Sequence, residues 1–198
     1  MNRRPSGFLA GLAAGGYADL HRRIRAYIVR RAQRAGSTEQ QRAGTDILFL
    51  HRTNPVVRPY VDWASLGQGY VDVLGAGDRQ PILAMTQRHE GPESAALVAY
   101  WMDRQPDAFK VFRAAGEEPI GFVALLALDR ATKADLAIDP GARAMWAYIL
   151  RHGPPAVGEE VMAFRFFLDR DAYQGISPSF NLWGACCIAH IITSRRLA

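Results

Sequence analysis

An α/β (α+β) protein is predicted here: a sheet-containing domain over residues 67–198, preceded by a helical segment over residues 1–66. Three observations predict it. From Tyr70 onward, stretches with strand periodicity and stretches with helix periodicity follow one another in the chain. Gly and Pro punctuate them at short intervals. The first third has no strand pattern, carries a basic amphipathic stretch, and ends that stretch in polar residues. At 198 residues, 49% hydrophobic and 22% charged, the chain has the size of one domain plus an appendage.

Taken in order, Tyr17–Ala35 is a helix. Leu20, Ile24, Ile28 and Ala32 recur every four residues, and arginines at 22, 23, 25, 30, 31 and 34 cover the other faces. The polar run Gly36–Gly44 is the expected linker. Asp46–Leu50 is apolar, and Asn54-Pro55 and Arg58-Pro59 then break the chain into irregular structure. Tyr70–Leu74 alternates as a strand, Gly75–Gly77 turn, and Asp78 is the expected cap of a helix over Arg79–His89. After the Gly91-Pro92 break, Glu93–Asp103 carries Ala96, Leu97, Tyr100 and Trp101 at helical spacing.

Phe109–Ala114 and Ile120–Leu128, joined by the turn Gly116–Pro119, read as a hairpin; the second strand is apolar throughout and so buried on both faces. Asp129–Gly158 is a long insertion with a helix over Gly141–Arg151. The chain closes with a strand over Glu160–Leu168, a polar turn over Asp169–Ser179 and an apolar helix over Phe180–Leu197. A strand that ends in a small-residue loop and a helix start is a recurring anion site, because loop N–H groups and the positive helix end converge there.

The formal charge is +5 with pI ≈ 9.6, but only Lys110 and Lys133 among the 24 basic residues are lysine. With so much Ala and Gly, that bias reflects codon composition as much as an anionic partner. The arginine helix offers a nucleic-acid or acidic-lipid surface; packing of its Leu/Ile stripe on a neighbour is the simpler account, since no aromatic interleaving accompanies it. Nothing approaches the run of about 18 apolar residues that a spanning helix needs, so no membrane partner is expected. The first residues imitate a signal peptide, yet the apolar run Phe8–Ala14 is short, Gly-interrupted and followed by arginines, which favours the cytoplasm. Cys186 and Cys187 are adjacent on a helix, unsuited to a mutual disulfide, and no spacing suits a metal. No G-x-S-x-G, H-E-x-x-H, C-x-x-C or P-loop pattern occurs.

The order strand, helix, helix, strand, strand, strand, loop, helix resembles the first two-thirds of the GNAT superfamily of N-acetyltransferases. The family's pyrophosphate loop, Q/R-x-x-G-x-G/A, is matched in place by Gln174–Ser179 as Q-x-x-S-x-S. The resemblance covers about residues 67–198 and implies a GNAT-like mixed sheet, incomplete at the C-terminus where the family continues with a further strand, helix and hairpin. It also implies a homodimer or a completing partner chain. Ser177 and Ser179 stand at both glycine positions, and Pro178 removes one loop N–H.

The activity so implied is acetyl transfer from acetyl-CoA to a small-molecule or protein amine by direct attack, with no metal. Backbone at the end of the last strand (Phe167, Leu168) would pair with the pantetheine arm. The amides of Gln174, Gly175, Ser177 and Ser179 would cradle the diphosphate, with Arg170 adding charge and Tyr173 packing over the loop. Glu160 is the first choice of general base and Glu159 the second, because a carboxylate just inside a buried strand is expected to have a raised pKa. Asp169 and the pair His89-Glu90 are further base candidates, and His190 reads as a core histidine. The serine-for-glycine loop also fits a different class, a non-catalytic ligand-sensing or interaction module on the same scaffold.

Overall fold

The computed structural model describes residues 15–194. The apolar run Phe8–Ala14 and the end of the expected last helix lie outside them.

Four strands form one sheet in the order β1 (Tyr70–Val73), β2 (Phe109–Arg113), β3 (Pro119–Ala127), β4 (Met162–Asp169), and every neighbouring pair is antiparallel. The sheet is therefore antiparallel rather than mixed among the described residues. Each strand lies within two residues of its predicted start, because alternation and Gly/Pro breaks fix strands locally. β3 is buried along nearly its whole length, as its continuous apolar sequence requires of a central strand covered on both faces.

One face is covered by α3 (Arg79–Glu90), α4 (Pro92–Arg104) and α6 (Pro140–His152). Ile82, Met85, Val98 and Trp101 pack there on Val111, Phe122, Leu126, Phe166 and Leu168. The segment expected as an insertion thus builds core. It holds two helices where one was expected: Thr132 and Asp135 form a reciprocal capping box for α5 (Lys133–Ile138), and Asp139 caps α6 by accepting from the amides of Gly141 and Ala142.

The other face is covered by α7 (Pro178–Thr193), whose Leu182 and Trp183 meet Phe112, Val123 and Leu125. Outside α7 lie α1 (Gly15–Ala32) and α2 (Ser37–Leu50). The expected linker over residues 36–44 is thus corrected to helix. Its polar residues are the outer face of α2, while Ala43, Gly44, Ile47 and Leu48 are buried. Gly44 permits the contact: a Cβ there would lie 2.1 Å from the carbonyl oxygen of Ala185 on α7. Asn181 of α7 ties down the irregular segment before β1 by donating to Asp62 O at 2.7 Å and accepting from its amide at 3.1 Å.

Two glutamine side chains act as short substitutes for strand backbone. Gln41 donates to Val71 O (3.1 Å) and accepts from Val71 N (3.4 Å) on the outer edge of β1. Gln105 does the same at Ala127, where β3 outruns β2. β4 is the other edge, with a strand on one side only among the described residues. A bulge interrupts it, where Ala124 faces Phe166 and Leu125 faces Phe164, leaving Arg165 as the extra residue.

Candidate functional site

The turn between β4 and α7 is built around one carboxylate. Asp169, 6% exposed, accepts from the amides of Asp171 (2.9 Å) and Ala172 (2.8 Å). The hydroxyls of Ser179 and Ser177 lie beside it. Burial pushes its pKa up, but the Ser179 hydroxyl, the Ala172 and Asp171 amides and the Ser177 hydroxyl outweigh burial and hold it below the ordinary carboxylate value. An Asp whose side chain accepts amides two and three residues on is a local turn device. D-R-D-A carries that signal, and the sequence reading weighed Asp169 only as a base.

Of the loop groups expected to hold a diphosphate, the Gly175 amide and the Ser177 and Ser179 hydroxyls have partners within the turn. Gly175 donates its N–H to Ala172 O at 2.8 Å. Ser177 caps α7, accepting from the Phe180 amide at 3.2 Å, and is buried. Ser179, fully buried, points its hydroxyl at Ile120 O (3.2 Å) as well as at Asp169. It fits because Gly121 of β3 has no side chain: a Cβ there would lie 2.5 Å from Ser179 Oγ and 2.6 Å from Leu168 O. Gln174 is exposed at the tip of the turn. Arg170 gives its amide to Ile120 O, and its guanidinium reaches Glu118 (3.4 Å) and Asp171 (3.3 Å).

Tyr173 sits in the left-handed region at φ 57, which is uncommon for a bulky residue. Its ring stacks on His89 with centroids 5.4 Å apart, and its hydroxyl donates to Glu90 at 3.1 Å. Burial and then that bond raise its pKa. His89 Nε2 lies 2.9 Å from Arg170 O and 3.2 Å from Arg88 Nη2. Two of the base candidates, His89 and Glu90, therefore anchor the turn to the end of α3. Phe167 packs among Phe112, Phe180 and Trp183, and Leu168 is buried on the opposite face.

The expected catalytic pair stands at the far end of β4, roughly 25–30 Å away at the usual strand rise. Glu159 accepts from the Ala156 amide at 2.6 Å. Glu160 precedes β4 with its side chain 46% exposed and Arg130 at 3.7 Å, so the burial expected of it is absent. It lines a cleft of about 390 Å³ with Arg104, Gln105, Arg130, Met162 and His190. His190, read from sequence as a core residue, thus borders the same cleft as Glu160. Helix periodicity alone could not say which way its ring faces.

The structure brings Arg170, Tyr173, Gly175, Ser177 and Ser179 together around Asp169 and keeps Glu159 and Glu160 apart from them. A diphosphate entering this turn as folded would meet a buried carboxylate with two amides already on it. Among the described residues no cluster of His, Cys, Asp and Glu is suited to a metal ion, and no helix is long and apolar enough to cross a membrane. Comparison of the chain with protein-family models, with curated proteins and with solved structures finds no match.

Proposed function

We propose that the chain is a non-catalytic ligand-sensing or protein-interaction module on a GNAT-like scaffold. One observation supports the reading: the buried carboxylate of Asp169 already accepts the Asp171 and Ala172 amides of the β4–α7 turn and brings its own negative charge there. Two unit negative charges 4 Å apart repel by about 4 kcal/mol at an effective dielectric near 20, so a diphosphate must displace or neutralise that carboxylate before the turn can hold it.

A second reading, an acyl-CoA-dependent N-acyltransferase acting on an amine, is favoured by a different observation. The elements follow in the order strand, helix, helix, strand, strand, then the helices α5 and α6, a fourth strand, the turn and a helix, and the sheet order is β1-β2-β3-β4. Fold alone does not carry an activity, and the Asp169 carboxylate in the turn supports the module reading.

Thermal melting with acetyl-CoA separates them. The module reading expects no movement of the melting temperature at millimolar acetyl-CoA. Binding at 100 times Kd adds about 2.7 kcal/mol, or about 5–10 °C for a chain of this size. A saturable rise of that order, together with release of free thiol from acetyl-CoA when an amine is added, would overturn the module reading in favour of the transferase.

A further inference from the structure

From the arrangement of α1 we infer that its N-terminal half is a docking surface for an acidic amphipathic helix of another protein. The four-residue stripe of α1 is divided. Ile28 and Ala32 are buried against the α2–α7 layer, whereas Leu20 and Ile24 are 54% and 38% exposed, and Tyr27 beside them is 58% exposed. At about 100° per residue, these three side chains share a strip turned roughly 90° from the buried face. The strip therefore lies on the flank of α1, where a further helix would pack alongside and extend the layer.

Charge selects the occupant. Arg23 and Arg30 line the shallow groove that Leu20, Ile24 and Tyr27 form, and Arg34 follows in the turn after α1. Among the described residues none of these three arginines has a carboxylate within ion-pair distance; the one acid on α1, Asp19, is 3.3 Å from Arg22. A second copy of the same basic surface would be repelled. A helix with apolar residues at i, i+3/i+4 and i+7 and with flanking Glu or Asp would cover the strip and neutralise the row. The proposal rests on the interaction-module reading for its role, but the binding it predicts is independent of what the β4–α7 turn holds.

The test uses the full chain and two synthetic helical peptides with identical apolar positions, one carrying Glu and the other Lys at the remaining sites. Isothermal titration is expected to show binding of the Glu peptide that weakens with salt, and none of the Lys peptide. Leu20→Ser/Ile24→Ser and Arg23→Glu/Arg30→Glu should each weaken binding about tenfold or more, with the melting temperature of the chain unchanged, because all four side chains are exposed. Equal binding of both peptides, no binding, or binding indifferent to the variants overturns the proposal. Co-sedimentation with phosphatidylserine vesicles but not phosphatidylcholine vesicles, without peptide binding, would assign the strip to a bilayer instead. None of these outcomes depends on acetyl-CoA, so failure here and failure of the module reading are distinguishable.

Discussion

The indole N–H of Trp101 donates to Asp139 Oδ2 at 2.7 Å, and both residues are fully buried. The same carboxylate pairs with Arg165, the bulge residue of β4, with Nε at 2.8 Å, and caps α6. Three elements thus converge on one buried acid. Burial pushes its pKa up, but Arg165, Trp101 and the Ala142 amide hold it net below the ordinary carboxylate value. Asp139→Ala should destabilise by about 3 kcal/mol, since it leaves the half-buried Arg165 guanidinium and the buried Trp101 N–H unpaired. Because the folded pKa is depressed, the contribution of Asp139 is present above the ordinary carboxylate pKa and is lost as pH falls through the folded one. Urea midpoints of wild type and variant should therefore differ widely at neutral pH and converge in acid; a constant gap would contradict the ion-pair account.

Asp169→Asn tests the turn. The amide oxygen can still accept from Asp171 and Ala172, but the charge that the hydroxyls of Ser177 and Ser179 favour is gone. A loss of about 1–3 kcal/mol is expected, with faster hydrogen exchange at Asp171 and Ala172. The depressed pKa of Asp169 gives the same pH sense: the difference from wild type shrinks as acid protonates the native carboxylate. Unchanged exchange at those amides would mean that the carboxylate does not organise the turn.

Gly44→Ala sets two effects against each other. Alanine gains about 1 kcal/mol of helix propensity over glycine, but its Cβ would stand 2.1 Å from the Ala185 carbonyl oxygen, a backbone atom that can yield only if a helix moves. The contact wins, and a net loss of about 1–3 kcal/mol is expected. Gly116→Ala, where a Cβ meets nothing within 4 Å, is the control and should stay within about 0.5 kcal/mol of wild type. Melting curves of the two variants decide the matter by their order.

Neither cysteine should behave as a reactive thiol. Burial, then the neighbouring Cys186, pushes the Cys187 pKa up to about 12, and burial raises that of Cys186. Thiolate is the reacting form, so an aromatic disulfide reagent at pH 8 should label the native chain slowly and the guanidine-unfolded chain at once. Rapid labelling of native protein would place the thiols in contact with solvent.

Most of the elements were legible because their signals are local. Alternation in Tyr70–Val73 and Phe109–Arg113, the apolar run of β3, and Gly or Pro at each boundary needed no tertiary knowledge. Asp78 was misread for the opposite reason. Its side chain does not cap α3; it accepts from Gly75 N at 2.7 Å and receives the buried guanidinium of Arg113 on both oxygens. Residues 36–44 looked like a linker because their apolar partners, Ile188 and Ile192, lie about 150 positions further on. The candidate site was legible in part: Ser177 and Ser179 stand at the expected turn, beside the acid at the end of β4. Spacing can position a loop; it cannot say which of its own side chains already occupies it.

The close seat of Gly44 on Ala185 bears on how the chain comes apart. α7 is apolar nearly all round because it serves as a party wall, with the sheet on one side and the first two helices on the other. Shearing away the leading sixty-odd residues would strip one side of that wall and leave Ile188 and Ile192 wet. Such a shortened chain should aggregate or melt early, and the intact protein should lose its two halves in a single step.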